Sequence, residues 1–72
     1  MNTYIFAYCI EESNYLKRII ANSYANAIEK ACGILESFNE EIDLYGLTSW
    51  DEVVSECDNY AIYVTDLIEI DE

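Results

Sequence analysis

Eight consecutive residues near the start, Thr3-Tyr4-Ile5-Phe6-Ala7-Tyr8-Cys9-Ile10, form an unbroken run of β-branched, aromatic and small apolar side chains. Tyr4, Phe6, Tyr8 and Ile10 alternate with Ile5, Ala7 and Cys9, so a strand here is apolar on both faces. That pattern marks the central strand of a sheet. The rest of the chain must then supply its neighbours.

The next segments do so in order. Glu11-Glu12-Ser13-Asn14 is a polar break of hairpin length. Residues 15–21 read as a second strand whose Lys17 and Arg18 point to opposite faces, which suits an edge and discourages aggregation. Asn22 or Ser23 can cap a helix. Tyr24, Ala27, Ile28, Ala31, Ile34, Leu35 and Phe38 then recur at spacings of three and four, the mark of an amphipathic helix. Gly33 within it suggests close packing on the sheet. Residues 39–48 are an acidic connection with Leu44, Tyr45 and Leu47 as anchors.

Ser49-x-x-Glu52 is a capping box, and Asp51 and Glu52 favour the positive end of a helix dipole. Trp50, Val53, Val54 and Cys57 make the apolar stripe of that short second helix. Residues 60–70 read as a third strand, with a bulge or bend at Thr65-Asp66 because Asp66 interrupts the apolar even-numbered face. The expected architecture is one α+β domain over 1–72. It has a three-stranded antiparallel sheet with two helices packed on one face, in the order β-β-α-α-β.

A chain of 72 residues buries only roughly 60% of its unfolded surface. Its apolar fraction of 53% is nonetheless enough for a core. Proline is absent and Gly33 and Gly46 are the only glycines, so loops should be few and short. No apolar run approaches the ~20 residues of a membrane span, and no signal peptide is evident. Cys9, Cys32 and Cys57 form an odd set without CxxC spacing, read as buried thiols in a reducing cytoplasm.

Charge is the other constraint. Lys30 is the last basic residue, and the 42 residues after it contain no Lys, Arg or His. Residues 36–72 carry twelve of the fifteen carboxylates, and the net charge is −12. Self-repulsion of this size costs stability.

Several chemistries fall away. There is no histidine, so Ser-His and Cys-His nucleophilic schemes are excluded. The pairs Glu11-Glu12 and Glu40-Glu41 would need an enclosed pocket to drive two carboxyl pKa values apart, and a domain of 72 residues has little room for one. Glu40-Glu41-x-Asp43 and Glu69-x-Asp71-Glu72 are rich in oxygen ligands but do not follow the EF-hand spacing. No catalytic residue, metal site or cofactor is assigned. A glycine-rich phosphate loop is missing and the potential has the wrong sign for direct contact with nucleic acid.

What remains is the acidic surface. Its bland reading is solubility. Its sharper reading is a surface built to meet a basic one, since carboxylates one helical turn apart, such as Glu52 and Glu56, lie about 5–6 Å from each other at Cβ. Rows at that spacing imitate a phosphodiester backbone. The residues expected to contact a partner are Glu40, Glu41 and Asp43 in the connection, Asp51, Glu52 and Glu56 on the second helix, and Asp58. Tyr45 and Trp50 are each core or aromatic interface anchor.

A small, histidine-free, strongly acidic chain of β-β-α-α-β order resembles small phage-encoded inhibitors, anti-CRISPR proteins and other DNA mimics among them. The resemblance implies occlusion of a nucleic-acid site on a host defence complex, in the host cytoplasm. The strand–hairpin–strand unit followed by Asn22-Ser23-Tyr24-Ala25-Asn26-Ala27-Ile28-Glu29-Lys30-Ala31 is similar in part to HicB-type antitoxins, without their Asp-Leu-Pro-Gly turn. That likeness implies neutralisation of a basic ribonuclease. The expected function is thus a non-enzymatic inhibitor whose partner is a basic nucleic-acid-binding protein. A homodimer is compatible with it. The alternative is a structural or oligomeric accessory protein whose acidity serves solubility.

Overall fold

A computed structural model describes residues 1–70. The elements are β1 (Asn2–Ile10), β2 (Ser13–Ala21), α1 (Tyr24–Glu36), α2 (Trp50–Asp58), β3 (Tyr63–Val64) and β4 (Ile68–Ile70). All strand pairs are antiparallel. β2 lies on one side of β1, while β3 and β4 share its other side. The fold is the expected α+β sheet under two helices, with a central β1, but the sheet has four strands rather than three.

The hairpin is tighter than the polar tetrad suggests. Ser13 pairs with Ile10 and Asn14 with Cys9, so both belong to β2 and the turn is Glu11-Glu12 alone. Both turn residues have positive φ, 51° and 70°. A two-residue turn of the I′ type demands this and normally uses Asn-Gly. Glutamate there carries backbone strain.

Residues 60–70 do not form one strand. Tyr8 opposes Val64 and Ile5 opposes Ile68, so Thr65, Asp66 and Leu67 face only Phe6 and Ala7. This is a bulge of one extra residue at the expected place. It inverts the side-chain parity. Ile62 and Val64 point toward the helices before it and Leu67 after it. Asp66 is thereby spared burial, and Leu67 is buried in its stead. The bulge backbone is satisfied by side chains. Thr65 Oγ1 accepts from Ala7 N–H at 2.9 Å, Trp50 Nε1 donates to Thr65 O at 2.8 Å, and the Tyr24 hydroxyl donates to Leu67 O at 3.1 Å. Each helix therefore supplies one clasp.

The core lies between sheet and helices. Each inward aromatic of β1 meets one from the helical layer. The centroid separations are 5.9 Å for Tyr4–Tyr24, 5.4 Å for Phe6–Trp50 and 5.0 Å for Tyr8–Phe38. Ala27, Ile28, Ala31, Cys32 and Leu35 of α1 and Trp50, Val53 and Cys57 of α2 are buried against them. Tyr24 and Phe38 keep part of their rings in solvent, and Phe38 lies beyond the end of α1. Gly33 is exposed, and a Cβ there would meet nothing within 4 Å, so it does not serve a close helix–sheet approach.

Among the described residues, no layer lies over the opposite face of the sheet. Ile5, Ala7 and Cys9 are only half-buried, with Leu16, Arg18 and Ile20 beside them on β2 and Tyr63, Ile68 and Ile70 on the other flank. The apolar second face of β1 is therefore not covered by the described residues. Cys9 is correspondingly half-buried rather than a core thiol, unlike Cys32 and Cys57.

Candidate protein-binding surface

The helical layer gathers most of the carboxylates, and local chemistry fixes how each is presented. Ser49 caps α2, its Oγ accepting from Glu52 N–H at 3.2 Å and donating to the Glu52 carboxylate at 3.2 Å. Trp50, Val53 and Cys57 take the buried side, which leaves Asp51, Glu52, Ser55 and Asp58 in solvent. Glu56 is half-buried rather than fully exposed. The chain leaves α2 in a Schellman pattern. Ile62 N–H donates to Cys57 O at 3.1 Å, Ala61 N–H to Asp58 O at 3.1 Å, and Ala61 takes the left-handed position with φ 59°.

The connection is pinned by alternation. Ile42 and Leu44 are buried, while Glu41, Asp43 and Tyr45 are exposed between and beside them. Leu44 N–H donates to the Glu36 carboxylate at 3.1 Å, and the Tyr60 hydroxyl donates to Glu41 O at 3.0 Å. Side chains also close two local turns, with Asn39 accepting from Glu41 N–H and Asp43 from Tyr45 N–H. Glu40, Glu41 and Asp43 are thus held outward on an ordered path. Of the three expected anchors, Leu44 is buried, Leu47 half-buried, and Tyr45 is 94% exposed. Trp50 belongs to the core and not to the surface.

Two shallow concavities connect these pieces. One, of about 370 Å³, is lined by Leu47, Asp51, Glu52, Ser55, Glu56 and Asn59. It brings three of the expected carboxylates together. The other, of about 560 Å³, lies between α1 and the connection and is lined by Glu29, Cys32, Glu36 and residues 44–48. Glu29 and Glu36 were not among the expected contacts. Their spacing around Cys32, three and four residues along one helix, is the signal that could have found them. Glu40, Glu41, Asp43 and Asp58 line neither concavity.

The buried thiols register this field. Burial, then Glu36 and Glu29, push the Cys32 thiol up to about 11. Burial, then Cys32 and Glu56, push Cys57 up to about 11. Burial, followed by Asp66, Asp51 and Tyr4, likewise raises the Tyr24 hydroxyl. Lys30, the one basic residue of the helices, donates its ammonium to Ile20 O at 2.6 Å.

Among the described residues no group of three or more possible ligands could hold a metal ion, and no helix is long and apolar enough to cross a membrane. A scan against protein-family models, a search of curated proteins and a search of solved structures find no match to this chain.

Proposed function

We propose that this chain is a non-enzymatic inhibitor whose acidic helical layer occupies a basic, nucleic-acid-binding site on a partner protein. The observation that carries the reading is where α2 keeps its charge. Its last turn holds Glu56 and Asp58 and no basic residue. A negative group at the C-terminal end of a helix opposes the dipole, at a cost of order 0.3–1 kcal/mol each. Carboxylates that serve only solubility have no need of positions that weaken the fold. Asp51, Glu52 and Glu56 around one concavity, with Glu29 and Glu36 around the next, extend one sign of charge across both helices. Complementary potentials of this kind steer encounter and select a basic partner. The resemblance to phage-encoded inhibitors supports a host defence complex as that partner.

Capture from a host lysate, followed by salt elution, should yield basic nucleic-acid-binding proteins. With the captured partner, Glu56→Lys should weaken binding by about tenfold or more, since like-charge juxtaposition costs several kcal/mol. Its melting temperature should hold or rise slightly, because lysine suits that end of the helix. A duplex oligonucleotide should compete with the wild type. Simultaneous binding of both without interference would overturn the mimicry mechanism.

A further inference from the structure

We infer that the open face of the sheet is the contact surface between two copies of this chain, packed sheet against sheet. The face is apolar where it is most accessible. Leu16 is 69% exposed, Tyr63 58%, and Ile20 and Ile68 53% each, around the half-buried Ile5 and Ala7 of β1. The bulge creates part of it, because the added residue turns Ile68 away from the helices. Single exposed apolar residues are ordinary; a contiguous set across four strands marks an interaction surface.

The occupant follows from charge and size. No strand residue whose register places it on this face is a carboxylate. Two molecules of net charge −12 can approach here with their acidic helical layers outermost. The molecule measures 31 × 27 × 18 Å. Its broad side matches the roughly 800 Å² that a standard interface takes from each partner. Packed sheets sit about 10 Å apart.

A twofold axis along β1 lays β1 over β1. It sets Ile20 of one copy over Ile70 of the other and Arg18 over Ile68, with Leu16 over the bulge between Tyr63 and Ile68, the self-complementary arrangement of an isologous dimer. It also keeps the two copies of Arg18, on β2 opposite Ile5, from facing each other. This inference does not depend on what the acidic layer binds.

Sedimentation equilibrium of the full chain tests it. Interfaces of this size give dissociation constants from micromolar to picomolar, so at about 100 μM the wild type should be dimeric. Its mass should be twice the 8.3 kDa of one chain. Leu16→Glu and Ile68→Glu should each raise the dissociation constant by about tenfold or more. Ala25→Glu, which adds the same charge on the exposed side of α1, should change it less than about threefold. Circular dichroism checks that each variant folds, with Leu16→Asn in reserve if a glutamate does not. A monomeric wild type at that concentration would overturn the inference. So would a dimer that the face variants leave intact, or one that Ala25→Glu weakens equally.

Discussion

The two broad faces of this molecule are opposites. The helical face carries carboxylates from α1, the connection and α2, while the open sheet face presents aliphatic and aromatic side chains with Arg18 among them. Both are made by the same short chain, and neither is what a minimal stable fold requires. Along the sequence the acids look divided by halves, with residue 36 as the boundary. In space they are divided by layer. Glu29 joins the acidic side from the first half, while Glu11 and Glu12 stay apart at the hairpin turn. The lesson is that charge here is partitioned by the two-layer architecture, so the acids are grouped by face and not by segment.

The contrast can be broken most severely at the bulge, where the two faces are apportioned. Trp50→Ala removes a buried ring against Phe6 and the bond to Thr65 O. It should cost about 3–5 kcal/mol in a urea titration. Trp50→Phe keeps an aromatic ring and loses the hydrogen bond, so about 1 kcal/mol is expected. Equal losses for the two variants would show that the clasp, not the packing, dominates.

A smaller effect addresses the acidic side alone. Raising NaCl from about 10 mM to 150 mM shortens the screening length from about 30 to 8 Å. The melting temperature should rise by roughly 4–8 °C, the shift that about 1 kcal/mol produces in a domain of this size. Glu40→Gln with Asp43→Asn should flatten that rise. A wild-type curve already flat would mean that the carboxylates act independently and that the acidic face is not a unit.

The thiols give the finest comparison, because each side has its own. Cys9 lies on the open face, and Cys32 and Cys57 lie beneath the acidic layer. In dilute native protein a thiol reagent should modify Cys9 first, leaving the other two until the chain unfolds. Both buried thiols titrate near 11 in the folded chain against an ordinary value of 9.0. The folded state therefore holds its protons more tightly than the unfolded one. Their contribution is complete below pH 9 and is lost as pH rises toward 11. Denaturation midpoints should fall over that window, and Cys57→Ala should lessen the fall.

Much of this architecture is legible in the sequence. The spacing Ser49-x-x-Glu52 announced a capped helix because the cap is a local hydrogen bond between residues three apart. Asp66 announced the bulge because a carboxylate cannot occupy the inward position of a buried strand. Other features depend on tertiary placement. Ile42 and Leu44 both point inward while Tyr45 points out, which depends on how the connection crosses the core. Of the expected contact residues, Asp51, Glu52 and Glu56 converge on one concavity; Glu29 lies beside Lys30 in the near-neutral first part of the chain, and Glu36 reaches the second concavity only because the connection folds back onto α1. The run at 3–10 is apolar on both faces whether the second face meets a helix, another chain or water. Periodicity cannot distinguish those outcomes.

The single extra residue at 65–67 also has a consequence for how this chain can vary in length. Upstream, the connection at 39–48 can gain or lose a residue at modest cost, provided Ile42 and Leu44 still reach the core. Between Val64 and Ile68, length and register are tied. Removing one residue restores an unbroken ladder in which Val64 still opposes Tyr8 and Ile68 still opposes Ile5, so both faces are kept. Closing the bulge at full length instead slips the register by one, sending Leu67 out and bringing Asp66, Ile68 and Ile70 in. Loss of the extra residue should therefore be tolerated where a slip at constant length is not.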